Sequence, residues 1–399
     1  MSPPPSKVLC VQPSAIVDHV CNVTPEVLHS LVGDAIGGSR VIDYNELKGI
    51  LACVGEFQSK AGGSASNVAR SLTVGYGVQA DVIGARGNDE WGVMFISSMK
   101  RSKVGTDKVS VQDGKTGRSA VLVCNGERTM RTCMSESVYQ TAAGLHAKDF
   151  EGYDWVFLSA YGFYGPGLLQ RAAELAKSAG ARVVLDLGSY EIVKSHFESL
   201  VSLIRSGLIF CLICNEDEAN MFYSLLRDSG RISSGQCVAV SSAPSDAASC
   251  SAASATISAK KLEDDALFES VIHYAFGGMG VEGSGEGSGG EKGVKVAVVT
   301  KGNRGCLVGV SPTVLSKGVA VVKGQEDTAS ATAVGVLDIN GPRGQIISVA
   351  AVPGVPVVDS TGAGDNFTAG FIYGLMTRGH EVFDESLLVS SSSSSSSSS

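Results

Sequence analysis

Small residues cluster between two aspartates in the segment VVDSTGAGDNFTAGFIYG, residues 357–374. The apolar residues before the cluster predict a strand and the glycines predict a turn. Phe367, Phe371 and Leu375 then recur every four residues, which predicts a helix that ends near Gly379. Free N–H groups and the positive end of the dipole meet at a helix start, and a turn without bulky side chains lets an anion reach the backbone.

Asp365 stands directly beside this predicted anion site. A carboxylate next to a phosphate is unfavourable unless it has a task, and the obvious task is to accept a proton from a hydroxyl that attacks phosphorus. The alternative is structural, since Asp and Gly are favoured at helix starts and Asp365 could serve as the cap. The segment by itself supports both interpretations.

Short apolar runs alternate with helical patterns along the chain, which predicts an α/β fold with a parallel sheet covered by helices. One helical pattern, EIVKSHFESLVSLIRSG, has apolar residues at helical spacing and predicts a single helix that stops at Gly207. The runs of strand length are ADVIGA, DWVFLSA, ARVVLDLG, GLIFCLICN and KVAVVTKG.

The stretch RSAVLVCNGERTMRTCM departs from this alternation. Two extended runs flank Asn125 and Gly126, a dipeptide that accepts the positive φ angles of a type I′ turn, so we expect a β-hairpin. With the stretch SRVIDYNELKGILACVGEF, interpreted as extended, it predicts a small sheet built from about 38–60 and 107–135. A lid over a site and a plain extension of the main sheet are both compatible with this spacing.

Composition excludes several classes of protein. The 399 residues are 44% hydrophobic and carry a net charge of −8 without a basic block, so neither nucleic acid nor a membrane surface is an expected partner. The start of the chain lacks a secretory pattern, and no apolar stretch is long enough to span a bilayer. Ten cysteines without scaffold spacing suit reduced thiols, which predicts a cytoplasmic protein with small-molecule partners.

Three segments have a composition that predicts surface loops or disorder. Residues 229–261 are rich in Ser and Ala, residues 277–293 form a Gly/Ser/Glu stretch, and the chain ends in ten serines at Ser390–Ser399. Cys211 and Cys214 form a CxxC pair, but the apolar residues around them predict a buried strand, and no second pair completes a zinc site.

Four motifs in order resemble those of the PfkB (ribokinase-like) family of carbohydrate and nucleoside kinases. DSTGAGDNFTAG is similar to the carboxy-terminal signature D-[ST]-T-G-A-G-D, and residues 61–92 resemble the amino-terminal signature. Between them, NEDE at 215–218 resembles N-x-x-E, and TKGNRG at 300–305 resembles T-x-G-x-x-G. Four ordered matches make chance a poor explanation. The resemblance predicts a PfkB kinase domain over 7–389, most similar to plant and algal members.

The resemblance implies a ribokinase-like fold, in which helices sandwich a parallel sheet and a small β-sheet forms a lid. It implies an ATP-dependent phosphotransferase that moves the γ-phosphate of ATP to a hydroxyl of a sugar or nucleoside. Mg²⁺ is the implied cofactor, and a monovalent cation is a further one that the resemblance allows. The implied assembly is a monomer or a homodimer that pairs through lid edges.

Site residues follow from the resemblance position by position. Asp365 corresponds to the general base, and the anion hole corresponds to the backbone of Gly362, Ala363 and Gly364. The residues that correspond to the acceptor pocket are Asp18, Gly62, Gly63 and Asn67. Those that correspond to the nucleotide site are Thr300, Gly302, Gly305 and Thr361, and Asn215 and Glu218 correspond to the Mg²⁺ site, through water. The alternatives are that Asp18 is a turn residue and that N-x-x-E is a solvated helix start.

The serine run at 390–399 stands where the family continues with helices that pack on the nucleotide site. The sequence therefore supports a second function as the alternative, namely a catalytically impaired protein of PfkB fold that binds or scaffolds. The intact DSTGAGD and N-x-x-E motifs favour the kinase. The acceptor has no readable code, since GGSASN occurs in a form common to adenosine and sugar kinases of the family.

Overall fold

The computed structural model describes residues 6–135, 137–232, 265–277, 293–312, 345–352, 354 and 362–383. The chain divides into two compact units, Met1–Leu185 with Val355–Ser399 and Asp186–Gly354. Most of the predicted inserts at 229–261 and 277–293 lies outside the described residues, as do Thr361, the strand predicted at 355–359 and the serine run. Within the described residues, no helix is both long and apolar enough to cross a bilayer.

The first unit contributes five strands to the main sheet. These are β1 (Lys7–Val11), β5 (Gln79–Gly87), β6 (Gly105–Gln112), β9 (Trp155–Ser159) and β10 (Arg182–Asp186). They lie in the order β10-β9-β1-β5-β6, and β1 pairs in parallel with both β5 and β9. All five residues of β9 are buried, as expected for a strand covered on both faces. The predicted α/β architecture with a parallel sheet is confirmed.

A second, five-stranded sheet stands apart in the same unit, and we call it the small sheet. Its strands are β2 (Ile16–Asn22), β3 (Ser39–Val41), β4 (Gln58–Gly62), β7 (Gly117–Cys124) and β8 (Glu127–Cys133), in the order β3-β8-β7-β2-β4. The predicted hairpin is confirmed, because β7 and β8 are antiparallel and Asn125 and Gly126 have φ of 52° and 82°. The small sheet also includes β2, whereas β6 belongs to the main sheet.

Five helices follow strands or loops of this unit: α1 (Pro25–Val32), α2 (Tyr44–Val54), α3 (Ser64–Tyr76), α4 (Glu90–Arg101) and α5 (Leu168–Ser178). The stretch predicted to be extended at 39–57 is a strand only at β3, and the prediction was wrong for the residues that form α2. Asp43 caps α2 by accepting a hydrogen bond from the N–H of Glu46 at 2.9 Å, and Leu47 and Ile50 pack its apolar face onto the small sheet. Capping and a three-residue apolar spacing therefore prevailed over strand propensity.

The second unit contains α6 (Tyr190–Ser195), α7 (Phe197–Arg205), α8 (Glu216–Asp228), a helix over 265–275 that we number α9, and β11 (Cys211–Asn215) to β14. β11 pairs in parallel with β12 (Val296–Thr300), and the antiparallel strands β13 (Cys306–Val310) and β14 (Gln345–Val349) follow. The single helix predicted up to Gly207 is two helices, because the chain breaks at His196, with φ −121° and ψ 26°. Cys211 and Cys214 are buried in β11, as predicted.

Helix α10 (Ala363–Phe383) belongs to the first unit and packs on α3. It begins at the glycine-rich turn, as predicted, and the rings of Tyr76 and Tyr373 stack at 4.8 Å between the two helices. The predicted end near Gly379 was wrong, since the helix continues to Phe383. A single glycine inside a helix costs only about 1 kcal/mol, so it does not by itself end one.

Candidate active site

Asp365 is the third residue of α10, and its carboxylate is held by helix α3. Ser64 Oγ donates to Asp365 Oδ1 at 2.8 Å, and Asn67 Nδ2 donates to Oδ2 at 2.9 Å. The carboxylate is therefore oriented by another helix, and Asp365 is not the helix cap that its position could also have indicated. Each carboxylate oxygen keeps a second lone pair for another donor.

The turn before α10 presents backbone N–H groups to solvent. Gly362 has a φ of 76°, a left-handed conformation that favours glycine, and its carbonyl accepts the first helical hydrogen bond, from the N–H of Asn366 at 2.8 Å. Ala363 and Gly364 are exposed, and no atom lies within 4 Å of the position that a Cβ on Gly364 would occupy. The helix start is thus open to an anion.

Asp18 lies on β2 beside Gly62 of β4. Its side chain is 4% exposed, and its Oδ1 is buried without a hydrogen-bond partner among the described residues. A Cβ on Gly62 would lie 2.1 Å from Asp18 Oδ2, so only glycine leaves room for this carboxylate. Asp18 is therefore a strand residue with an unused acceptor, and not a turn residue.

Gln12, which the sequence did not single out, supports the start of α3. Its Oε1 accepts from the N–H and the Oγ of Ser66 at 3.0 and 2.6 Å, and its Nε2 donates to the Ser14 carbonyl at 3.0 Å. Gly63, with a φ of 91°, approaches this amide so closely that a Cβ would lie 2.6 Å from Nε2. Gly63 thus lets Gln12 bind the first turn of the helix that carries Ser64 and Asn67.

Two carboxylates and three cations share this region of the first unit. Burial raises the pKa of Asp18 to about 6, and the Asp365 charge adds to the rise, whereas Lys60, Arg70 and Arg128 oppose it. The pKa of Asp365 is also raised by burial, and the hydrogen bonds from Asn67 and Ser64 work in the opposite direction. A carboxylate with a raised pKa is a better proton acceptor than a free aspartate, provided that it is ionised at the working pH.

In the second unit, Asn215 and Glu218 form a capping box at the start of α8. Asn215 Oδ1 accepts from the N–H of Glu218 at 2.9 Å, and Glu218 Oε2 accepts from the N–H of Asn215 at 2.8 Å. Asn215 Nδ2 also donates to Glu218 Oε1 at 2.8 Å. The motif therefore starts the helix, but Glu218 is 3% exposed, which does not fit a solvated helix start.

The surroundings of Glu218 are acidic. Burial raises its pKa well above the ordinary value, and the neighbouring carboxylates of Asp186, Asp217 and Glu191 raise it further. Such a field favours a divalent cation, and Mg²⁺ prefers oxygen ligands while keeping several waters. Among the described residues, no group of three or more His, Cys, Asp or Glu side chains is arranged to hold a metal directly. The donor set fits Mg²⁺ bound through water.

The loop from Thr300 to Gly305 joins β12 to β13 in the same unit. Gly305 has a φ of 86°, and a Cβ there would lie 1.9 Å from the Val349 carbonyl, so glycine is required. Gly302 also has a positive φ, of 55°. Lys301, which is 1% exposed, donates a hydrogen bond from Nζ to Asp265 Oδ1 at 2.9 Å. This contact anchors the loop to α9. Sequence reasoning missed this ion pair.

The amino-acid sequence and the fold are similar to those of known kinases. Residues 31–261 match the profile described as "pfkB family carbohydrate kinase". A bifunctional protein HldE from Sulfurimonas denitrificans is 29% identical over 133 residues, which cover 31% of this chain and 28% of the relative's length. The chain therefore spans less than a third of that curated relative.

Among solved structures, an adenosine kinase from Sinorhizobium meliloti superimposes with a TM-score of 0.63 at 19% identity and covers 94% of this chain and 88% of its own. A probable sugar kinase from Rhizobium etli gives the same TM-score and identity, with 93% and 87% covered. A putative ribokinase II from E. coli, in complex with ATP and Mg²⁺, gives a TM-score of 0.53 at 16% identity, with 96% and 88% covered. These likenesses show a ribokinase-like fold, and because the profile spans more than half of the 399 residues, the chain belongs to the pfkB family of carbohydrate kinases.

Proposed function

We propose that the protein transfers the γ-phosphate of ATP to a hydroxyl group of a small acceptor in the sugar and nucleoside class, in the cytoplasm. The observation that carries this proposal is the Asp365 carboxylate, oriented by Ser64 and Asn67 directly beside an open helix start. A proton acceptor and an anion site next to each other are what phosphoryl transfer to an alcohol requires.

Asp365 acts as the general base. The two hydrogen bonds from α3 fix the plane of its carboxylate, and the remaining lone pairs can accept the proton of the acceptor hydroxyl. As the hydroxyl oxygen attacks phosphorus, its proton passes to Asp365, and the ester product leaves with ADP. Preorganisation by Asn67 and Ser64 means that the carboxylate does not have to reorient during the step.

The backbone N–H groups of Gly362, Ala363 and Gly364 bind the phosphoryl group while it is transferred from ATP to the acceptor. They belong to the first turn of α10, where N–H groups lack helical partners and the helix dipole also favours negative charge. Because charge spreads over the equatorial oxygens of the transferring group, donors fixed at this place stabilise the transition state more than the ground state.

Asp18 binds acceptor hydroxyls through Oδ1, the oxygen for which the described residues offer no hydrogen-bond partner. In the second unit, the acidic surroundings of Asn215 and Glu218 would hold Mg²⁺ through its waters, and Mg²⁺ would supply charge neutralisation to the phosphates of ATP. Thr300, Gly302 and Gly305 lie on the loop assigned to the nucleotide, and Thr361 keeps the same assignment from sequence. A monovalent cation and pairing through lid edges stay predictions of the family resemblance.

The test is ADP release from Mg²⁺-ATP with a panel of sugars, sugar derivatives and nucleosides, in parallel with calorimetric titration of ATP. We expect ATP to bind and at least one acceptor to raise ADP release above the acceptor-free rate. A protein that binds no ATP and releases no ADP with any acceptor would be a binding or scaffold member of the family instead.

A further inference from the structure

Three cations gather around the two carboxylates of the proposed acceptor site, and two of them come from the small sheet. Lys60 of β4 is the direct cross-strand partner of Asp18 in the antiparallel pair with β2. Cross-strand partners project from the same face of a sheet, so the Lys60 ammonium and the Asp18 carboxylate lie on one face.

Arg128 of β8 projects from that same face. Asn22 of β2 pairs with Val123 of β7, and Val123 pairs with Arg128. Side chains alternate between the two faces along a strand, so Asn22 projects from the same face as Asp18. Paired residues on neighbouring strands also share a face, so Val123 and Arg128 project from the face of Asp18 as well. Arg128 also lowers the pKa of both Asp18 and Asp365, which places its charge within electrostatic reach of the site.

The three arginines on the opposite face of the small sheet each make direct contacts with other described residues. Arg131 donates to the carbonyls of Met130 and Ala35, and Arg40 pairs with Glu46. Arg118 lies over the rings of Tyr44 and Trp91, at 5.3 and 5.4 Å from their centres. These side chains hold the sheet and the helices behind it together.

Lys60 and Arg128 differ from them, because neither side chain has a hydrogen bond or an ion pair within the part of the chain that the structure describes, although both are half-buried. Arg70, the third cation, donates to the Ala61 carbonyl at 2.7 Å. The carboxylates of Asp18 and Asp365 act on these charges at longer range, but a partly desolvated charge without a direct hydrogen bond or ion pair is incompletely compensated. Two such groups facing one site indicate that a ligand supplies the missing negative charge.

Neutral sugars and nucleosides do not supply this missing negative charge. Three cations, Lys60, Arg70 and Arg128, face two carboxylates here. The site therefore has an excess of positive charge before any ligand arrives. Arg and Lys together are the side chains that bind phosphate best, Arg through its planar fork and Lys as a point charge.

We propose that the acceptor carries an anionic group, a phosphate ester or a carboxylate, that Lys60 and Arg128 bind, so that the preferred acceptors are sugar phosphates or sugar acids. This inference rests on the proposed function, because it names the class of molecule that the kinase phosphorylates. Asp18 then binds the hydroxyls of the acceptor, and the small sheet selects it by charge.

The test is calorimetric binding to the full-length protein of matched acceptors without ATP: ribose and ribose 5-phosphate, glucose and glucose 6-phosphate, gluconate, and adenosine. We expect a charged member of a pair to bind at least about tenfold more tightly than its neutral partner, because charge-assisted hydrogen bonds contribute that much or more. The phosphate and gluconate arms distinguish a phosphate ester from a carboxylate.

Variants assign the preference to the two side chains. Lys60→Gln and Arg128→Gln should each reduce the charged-over-neutral ratio about tenfold, whereas Arg40→Gln, a cation on the opposite face, should leave the ratio unchanged. Lys60→Arg and Arg128→Lys keep the charge and should keep much of the preference, which protects the test against variants that fold poorly. For the unmodified protein, the preference should shrink between 50 and 500 mM salt.

Equal binding of neutral and charged partners overturns the inference. So does a result in which Lys60→Gln and Arg128→Gln weaken ATP and leave acceptor binding intact, since the cations would then serve the nucleotide. Either result leaves the kinase itself standing if ATP binds and a neutral acceptor is turned over. Conversely, charged acceptors that bind through Lys60 and Arg128 to a protein that binds no ATP would support this inference and reject the proposed function.

Discussion

Asn67 donates a hydrogen bond to Asp365 across 2.9 Å although 298 residues separate them in the chain. The contact joins the first turn of α3 to the first turn of α10, and Ser64 repeats it from the same helix. A carboxylate tied to a second helix by two hydrogen bonds has a fixed direction, which an unpartnered surface aspartate lacks.

Replacing Asn67 by Ala should raise the pKa of Asp365 further, because the hydrogen bond from Asn67 favours the ionised form. A base must be ionised to act, so the acid limb of the kcat profile should move to higher pH and the rate at neutral pH should fall by about tenfold. The measurement is kcat against pH with saturating ATP and acceptor. Val74→Ala, on an exposed position of α3, is the control and should leave the limb in place.

Replacing Gly62 by Ala should remove acceptor binding, because the added Cβ would lie 2.1 Å from Asp18 Oδ2 and force that carboxylate away. We expect the KM for the acceptor to rise at least about tenfold while ATP binding is retained. Gly49→Ala serves as a matched control, since no atom lies within 4 Å of its Cβ position in α2. An unchanged KM for the acceptor in Gly62→Ala would contradict the assignment of Asp18 to the acceptor pocket.

Asp18 should reduce the stability of the free protein at high pH. Its pKa is raised to about 6 in the folded state by burial, above the ordinary value of 3.8, so the folded state prefers the protonated form. The penalty is absent below about pH 4, grows as the pH rises towards 6, and is then complete, at up to about 3 kcal/mol.

Asp18→Asn should therefore raise the free energy of unfolding at pH 8 and change it little at pH 4, as measured by urea denaturation. The same change at the exposed Asp34 should have no effect at either pH. An Asp18→Asn protein that is less stable than the parent at pH 8 would show that this carboxylate is favourably paired.

Glu218→Gln should raise the Mg²⁺ concentration required for half-maximal turnover and leave acceptor binding nearly unchanged. The change removes a buried carboxylate that a bound cation would favour in its ionised form, and it keeps the size of the side chain. Asp228→Asn, at the exposed end of the same helix, is the control. An equal loss of acceptor affinity in Glu218→Gln would contradict the assignment to the metal and phosphate end.

The parts of the fold that sequence predicted are those whose chemistry is local. Asn125 and Gly126 favour their turn whatever surrounds them, and the glycines before Asp365 start a helix by the same kind of preference. The helix at Tyr44–Val54 was missed even though Asp43 and Glu46 have the spacing of a helix start.

Other features depend on contacts between distant segments and have no local signal. Gln12 reaches Ser66 only because β1 and α3 pack together, and the ion pair of Lys301 with Asp265 needs α9 to lie beside the loop. The charge of Lys60 and Arg128 is visible in the sequence, but their common face becomes visible only from the register of the small sheet.

The helix dipole and the backbone N–H donors of the first turn of α10 should contribute to turnover and to phosphate binding independently of the base, Asp365. Gly364→Val places a branched side chain where an anion must approach the exposed turn, so turnover and phosphate binding should both fall. ATP affinity by calorimetry and kcat with a saturating acceptor report the two effects. Gly374→Ala, at an exposed position later in α10, is the control and should be neutral or slightly stabilising.

The most direct measurement of the central claim is kcat together with the ATP dissociation constant of Asp365→Asn. Asparagine keeps the shape, and the hydroxyl of Ser64 can turn to accept from its amide, so the geometry survives while the base is lost. We predict that kcat falls by about 10²–10⁴ while ATP binds as tightly as before or more tightly, because a negative charge beside the phosphates is gone. An Asp365→Asn protein that retains most of the parent's turnover would contradict the account.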